Sequence, residues 1–166
     1  MTWQIRPMAH SDLDSLMSLQ EEGAVAGMSE VFPQDSYPFP REVLRDRWSA
    51  ELGDPEIAAY VATDEQGRLL GFAARRGDEL LHFGTRVDDW GSGLAAWLHD
   101  RLLETYLDDV TRVRLRVFEG NRRAHRFYEK LGWTSTGRTS RTTFAPYPVL
   151  LEYVRERTPD RPGPRQ

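Results

Sequence analysis

The stretch Asn121-Arg122-Arg123-Ala124-His125-Arg126-Phe127-Tyr128-Glu129-Lys130-Leu131-Gly132-Trp133 is punctuated at both ends. Asn is a favoured helix N-cap, because its side-chain oxygen accepts a bond from an otherwise unpaired backbone N–H. Gly is the usual residue where a helix stops in the left-handed conformation. The spacing therefore predicts a short helix opened by Asn121 and closed by Gly132. Asn121, Ala124 and Tyr128 fall three and four residues apart and share one face. That face offers a capping amide, a small residue and a phenol, while Phe127 and Leu131 form an apolar stripe. Tyr128 either packs the helix or presents its hydroxyl to a ligand, and this segment alone leaves both open.

A second segment lies about thirty residues upstream. Leu80 to Val87 reads as a strand interrupted by Gly84, and a glycine inside a strand marks a bulge or a close backbone approach. Asp88-Asp89-Trp90-Gly91-Ser92-Gly93-Leu94-Ala95 follows, then Trp97, Leu98, Leu102 and Tyr106 at helical spacing. A glycine-bearing turn thus joins a strand to a helix N-terminus. Backbone N–H groups there lack intrahelical partners and, with the helix dipole, suit a phosphate or pyrophosphate. Gly91 and Gly93 leave the backbone open to such an anion. An ordinary strand-to-helix turn has the same composition.

The rest of the chain alternates strands and helices. Trp3 to Arg6 reads as a strand ended by Pro7. Ser11 caps a helix whose apolar side is Leu13, Leu16, Met17 and Leu19. Gly23 to Pro40, with Pro33, Pro38 and Pro40, reads as a loop. A helix from about Arg41 to Leu52 follows, then strands over Ile57 to Ala62 and Leu69 to Ala74, joined by the turn residues Asp64-Glu65-Gln66-Gly67. Val113, Leu115 and Val117 alternate with arginines as in a half-buried strand. Trp133 to Ser140 and Val149 to Val154 read as two closing strands. The pattern predicts one α/β domain over residues 1–157 with a mixed sheet, and a disordered tail over 158–166 that has no apolar surface to bury.

Composition narrows the function. The 166 residues suffice for one sizeable core, and 39% apolar with 11% aromatic content is that of a globular chain. No apolar run approaches a membrane span, and Met1 to Arg6 lacks a signal-peptide pattern, so no membrane association is expected. The absence of cysteine excludes disulfides and a thiol nucleophile and agrees with a cytoplasmic protein. A net charge of −4 argues against general nucleic-acid binding. Arginines nonetheless cluster at Arg112, Arg114, Arg116, Arg122, Arg123 and Arg126: a solvated face, or in part a means of neutralising cofactor phosphates. No His/Asp/Glu cluster has metal-ligand spacing, so no metal is expected.

The two segments together, in this order, resemble the GNAT N-acetyltransferase superfamily. Its pyrophosphate motif, Q/R-x-x-G-x-G/A, corresponds to Trp90-Gly91-Ser92-Gly93-Leu94-Ala95. Its Asn, Phe-Tyr and Gly-Trp pattern corresponds to Asn121 to Trp133. Trp90 departs from the pattern by standing where the family usually has Arg or Gln, which removes a charge but leaves the backbone contribution. The resemblance implies a mixed, mostly antiparallel sheet of about six to seven strands flanked by about four helices, with two central strands splayed apart. Acetyl-CoA, as co-substrate, sits in that gap, its pantetheine arm pairing with the main chain at Phe83 and Thr85 as an added strand.

The implied reaction is acetyl transfer from acetyl-CoA to a primary amine of a small molecule by direct attack. Tyr128 corresponds to the general acid beside the CoA sulfur. Asn121 corresponds to a residue bonding the cofactor arm, unless it only caps its helix. A backbone N–H near Thr85 supplies the oxyanion donor. A protonated alkylamine must first lose its proton, and the candidate bases are His82, on the opposite strand face from Phe83, and Glu30; a water relay is the alternative. Phe32, Tyr37 and Phe39 either wall the acceptor pocket or cover the core, and Glu21, Glu22, Glu30 and Asp35 could draw in a cationic amine. The acceptor site is expected between the 23–40 and 141–148 loops. Two other readings are a transferase acting on protein or peptide amines and a non-catalytic acyl-CoA-binding module. A homodimer is possible on the family pattern.

Overall fold

The computed structural model describes residues 2–106 and 108–157. The expected disordered tail at 158–166 lies outside the described residues. The chain runs β1 (Gln4–Pro7), α1 (Leu13–Gly27), α2 (Arg41–Leu52), β2 (Ile57–Thr63), β3 (Leu69–Arg76), β4 (Glu79–Thr85), α3 (Leu94–Glu104), β5 (Arg112–Phe118), α4 (Arg122–Lys130), β6 (Thr134–Arg141) and β7 (Val149–Glu156). The seven strands form one mixed, mostly antiparallel sheet in the order β1-β2-β3-β4-β5-β7-β6.

Side-chain alternation assigns the two faces. Val61, Phe72 and Ala74 pack with Leu13, Leu16, Met17 and Trp48 under α1 and α2. Ala62 and Ala73, their neighbours in sequence, face the other way, toward Leu94, Leu98, Leu102, Tyr128 and Trp133 under α3 and α4. On β5, Val113, Leu115 and Val117 join that second core, while Arg114 and Arg116 reach Glu79 on the opposite face at 3.3 and 3.2 Å.

The sheet divides between β4 and β5. These strands run parallel and pair only at Glu79–Arg114 and Leu80–Leu115. Beyond that point β4 stays with β3 and β5 stays with β7 through to Phe118. The parting coincides with an irregularity in β4: Ala74 pairs with His82 but Arg75 with Leu80, so Leu81 is the extra residue of a bulge. Gly84 is not the bulge. It lies under the Phe72 ring, where a Cβ would come within 2.6 Å of the ring edge.

Two expectations need correction. The segment from Gly23 onward does not leave the helix at once, because α1 continues to Gly27. Ala24 is buried and accepts from the Met28 N–H, and Gly27 seats against the Trp90 ring, so packing outweighs the weak helix propensity of the glycines. Glu21 and Glu22 are therefore helical, and Glu21 pairs with Arg41 at 3.5 Å. At the other end Ser11 is not the cap. A single 3₁₀ turn, His10–Asp12, precedes α1. Asp12 accepts two bonds from Arg6, at 2.8 and 2.9 Å, and one from the Ala9 N–H at 2.8 Å. The Arg6 bonds hold its carboxyl below the usual carboxylate range, against the opposing effect of burial.

Candidate active site

The Arg86 N–H donates to Leu70 O on β3. In an antiparallel ladder this assigns Gly84 and His82 to the same hydrogen-bonding side. Phe83 and Thr85 consequently aim their backbone groups at the gap left by β5. Their side chains alternate in the usual way: Phe83 stacks on Phe127 with centroids 5.6 Å apart, and His82 turns to α2.

The turn after β4 is built to expose backbone. Gly91 and Gly93 have φ of 83° and 92°, the left-handed region that glycine enters without strain. Ser92 Oγ donates to Asp89 O and accepts from the Leu94 N–H, which fixes the turn. The first intrahelical donor is Trp97, to Gly93 O. Among the described residues the N–H groups of Gly91, Gly93, Ala95 and Ala96 have no acceptor, so four donors lie unpaired in the turn and first residues of α3. The neighbouring Asp89 is neutralised by Arg86 at 2.9 Å. Trp90 is tied down, its indole N–H donating to Thr85 O at 3.2 Å. One of the two carbonyls on the splayed edge of β4 is thereby already engaged. These residues fit the pyrophosphate and pantetheine of CoA, with that carbonyl as the exception.

Helix α4 faces this turn across the gap. Asn121 Oδ1 accepts from the Ala124 N–H at 3.2 Å, the N-cap read from the sequence. Its amide NH₂ has no partner among the described residues. At the other end Gly132 adopts φ 91° and the Trp133 N–H closes on Tyr128 O. With the Gly132 N–H on Glu129 O this is a Schellman stop, and the Trp133 and Tyr128 rings, 5.7 Å apart, supply its hydrophobic contact. Tyr128 is thus fixed by backbone closure and by the rings of Phe83, Phe127 and Trp133. Burial pushes its phenol pKa up, and its hydroxyl has no partner among the described residues.

His99 is a feature that the sequence pattern did not single out. It is fully buried in α3, accepts from Trp133 Nε1 at 2.9 Å, and its Nδ1 lies 3.0 Å from Asp100 Oδ1. It ties α3 to the end of α4. The only signal for it was a histidine on the apolar side of the Trp97, Leu98, Leu102 helix.

The α1–α2 side of β4 carries a second polar pair. His82 Nε2 lies 2.8 Å from Glu51 Oε2, and the imidazole sits 4.5 Å from the Trp48 ring. Glu51 also accepts from Arg47 Nε at 3.1 Å. Burial alone would raise the Glu51 pKa, but the His82 and Arg47 bonds outweigh it and hold the carboxyl below the usual range. Sequence reading found His82 and missed Glu51, which lies thirty-one residues away on α2.

The two loops expected to frame the acceptor do meet. Phe32 packs edge-on to Phe118 at 5.2 Å and stacks on Phe144 at 6.0 Å, joining the α1–α2 loop, the end of β5 and the β6–β7 loop. Tyr37 is half-buried in the α1–α2 loop without a ring partner among the described residues, and Phe39 packs on the α1–α2 core. Glu30 and Asp35 are exposed on that loop.

No curated protein sequence matches this chain. Solved structures do share its fold. Apo YjaB from Escherichia coli is 23% identical with a TM-score of 0.73, over 93% of this chain and 97% of that one. A spermidine N-acetyltransferase from Vibrio cholerae, solved with CoA and spermine, is 17% identical with a TM-score of 0.68, covering 93% of this chain and 95% of that one. A structure described as a putative phosphinothricin N-acetyltransferase is 18% identical with a TM-score of 0.70, covering 93% and 98%. A sequence model of the Acetyltransferase (GNAT) family matches residues 25–133, a span that holds both the glycine turn and the tyrosine helix. The chain belongs to the GNAT acetyltransferase family.

Proposed function

We propose that the protein transfers the acetyl group of acetyl-CoA to a primary amine of a small molecule. The observation that carries this reading is one juxtaposition. The β4–β5 gap is flanked by three features: the edge of β4 unpaired at Phe83 and at the Thr85 N–H, four N–H groups without an acceptor among the described residues at the start of α3, and Tyr128 of α4, packed with Phe83 in one core.

Bound acetyl-CoA supplies an activated acyl thioester, whose carbonyl is the electrophile and whose thiol is the leaving group. The N–H groups of Gly91, Gly93, Ala95 and Ala96 hold the pyrophosphate. The Phe83 N–H and C=O orient the pantetheine arm, the Asn121 amide adds a donor, and the Thr85 N–H serves the developing oxyanion. Leu94, sealed in the core under the turn, fixes the height of these donors. Tyr128 keeps its proton on Oη at working pH, because burial raises its pKa. A free thiolate, with a pKa of about 8.5, is the weaker base. Tyr128 therefore acts chiefly by donating a hydrogen bond where charge gathers on sulfur.

His82 takes the proton of the incoming ammonium. With Nε2–H given to Glu51, Nδ1 is the nitrogen left with a free lone pair, and the partly buried carboxylate steadies the imidazolium that forms. Glu30, exposed and without a partner among the described residues, has no such orientation. The Phe32, Phe118 and Phe144 cluster, with Tyr37 beside it on the same loop, walls the acceptor from the other side and favours a small molecule over a protein chain.

The test is thiol release from acetyl-CoA in the presence of a panel of amines, including spermidine, amino acids and aminoglycosides. Acceptor-dependent release is expected with at least one member. A protein that binds CoA yet releases thiol with none would instead be a binding module, and one that binds no CoA would end the reading altogether.

A further inference from the structure

Trp90 occupies the motif position where Arg or Gln is usual, yet a cation stands against it. The Arg123 guanidinium carbon stands 3.3 Å from the centre of the Trp90 ring. Arg123 comes from the first turn of α4, across the gap from the glycine turn. The indole beneath it is held at three points: its N–H on Thr85 O, its outer edge against Gly27 of α1, and its backbone N–H on Val87 O. A Cβ at Gly27 would meet the ring at 3.3 Å, so the glycine there makes room for the indole.

The arginines of the cluster divide by element. Those of β5 are ion-paired, whereas Arg122, Arg123 and Arg126 of α4 have no ion pair or side-chain hydrogen bond among the described residues, and of these three only Arg123 is stacked on a ring. Arg112 pairs with Glu156, Arg114 with Asp78 and Glu79, and Arg116 with Glu79. Arg123 has neither an ion pair nor a hydrogen bond among the described residues, although much of the residue is exposed. Cover by the indole, and secondarily the nearby Arg126, lowers its pKa, which is the condition of a guanidinium with no anion beside it. The unpaired cation, the four unpaired N–H donors and the pair of left-handed glycines adjoin at one mouth of the cleft.

We propose that Arg123 is the phosphate-binding cation of this enzyme, supplied from α4 in place of the missing motif side chain, and that Trp90 positions it by stacking. The ligand group is the pyrophosphate of CoA, the anion nearest the Gly91–Gly93 turn. This rests on the reading of the gap as a CoA site. A flat guanidinium over an indole keeps its edge N–H donors free, so stacking and phosphate binding use different parts of the group. A substitution that looks like a loss from the motif is thereby a change in which helix carries the charge.

The test is calorimetric binding of CoA, dephospho-CoA and pantetheine to wild type, Arg123→Met, Trp90→Leu and Trp90→Phe, with no acceptor present. Arg123→Met should weaken CoA and dephospho-CoA alike by about ten- to a hundred-fold, the usual scale of a charge-assisted hydrogen bond. It should leave pantetheine unchanged and reduce the salt dependence of CoA binding. Trp90→Leu should show the same selective loss in weaker form, and Trp90→Phe, which keeps a ring, should retain affinity within about three-fold. Arg123 is exposed, so its variant is expected to fold, and a thermal melt checks this. A penalty confined to CoA would move Arg123 to the ribose phosphate and overturn the assignment. So would equal losses for pantetheine and CoA, or no loss at all. Wild-type protein that binds none of the three would remove the CoA reading itself, a different failure from an unaffected Arg123→Met.

Discussion

The molecule has two arms, and they are built differently. One is β1 to β4 with α3, the other β5, β7 and β6 with α4. The second is regular along its inner edge: β5 pairs with β7 residue for residue from Arg112 to Phe118. The first is bent at its inner edge, with the extra residue Leu81 and the glycine at 84 both on β4. The cleft therefore comes from curvature of one strand rather than from fraying of two. Each arm keeps a full partner on its outer side, so opening the gap exposes backbone only where a ligand can use it. The arms then touch at separate places: Trp133 with His99, Phe83 with Phe127, and Trp90 with Arg123. Breaking those contacts, or the bend itself, tests the comparison.

The largest effect is expected at Tyr128, which the straight arm presents to the bent one. Tyr128→Phe keeps the ring packing with Phe83, Phe127 and Trp133 and removes only the hydroxyl. Turnover should fall roughly 10²- to 10³-fold, the range for loss of one preorganised hydrogen-bond donor. CoA affinity and melting temperature should hardly move. Unchanged turnover would reduce Tyr128 to a packing residue.

That residue also shows what could be read in advance. The stop of α4 at Gly132, its cap at Asn121 and the alternation of β5 follow from local chemistry, so the sequence expressed them directly. The glycine turn was legible because a left-handed backbone needs glycine at Gly91 and Gly93. The length of α1 was not, because Ala24 and Gly27 remain helical only through contacts with distant residues, Trp90 among them. Glu51 beside His82 was hidden for the same reason: two polar residues on separate elements meet only once the sheet has folded. The Phe32, Phe118 and Phe144 cluster joins three segments, and neither spacing nor propensity encodes such a meeting.

A smaller effect is expected at the bend. Gly84→Ala would place a Cβ 2.6 Å from the Phe72 ring edge. Overpacking of that kind costs about 1–3 kcal/mol. Melting should drop by about 2–4 °C for each kcal/mol in a chain of this size. Adding Phe72→Leu should recover part of the loss, which a purely conformational penalty would not allow. Gly23→Ala is the control. Nothing lies within 4 Å of its Cβ, and it sits inside α1, so the alanine should stabilise by about 0.4–1 kcal/mol. If Gly84→Ala and Gly23→Ala shift melting in the same direction, close approach does not explain Gly84.

The smallest effect concerns the buried tie between the arms. Trp133 Nε1 donates to His99 Nε2, so that nitrogen keeps its lone pair in the folded protein. Burial lowers the His99 pKa from 6.5, while Asp100 at the rim opposes the shift only in part. The unfolded chain takes up a proton at this histidine as pH falls through about 6.5, and the folded chain refuses it until a lower pH. Stability from this group is thus complete above the unfolded pKa and is lost as pH falls below it, at no more than about 1.4 kcal/mol per pH unit. Carboxylates such as Asp12, held low by Arg6, add their own loss at more acid pH. His99→Gln keeps an acceptor for the indole and removes the titration. Denaturant unfolding from about pH 7.5 to 5 should therefore give a shallower decline for His99→Gln than for wild type. Parallel declines would mean that His99 takes its proton in the folded state as readily as in the unfolded chain. The hydrogen bond from Trp133 would then not be what holds α3 to α4.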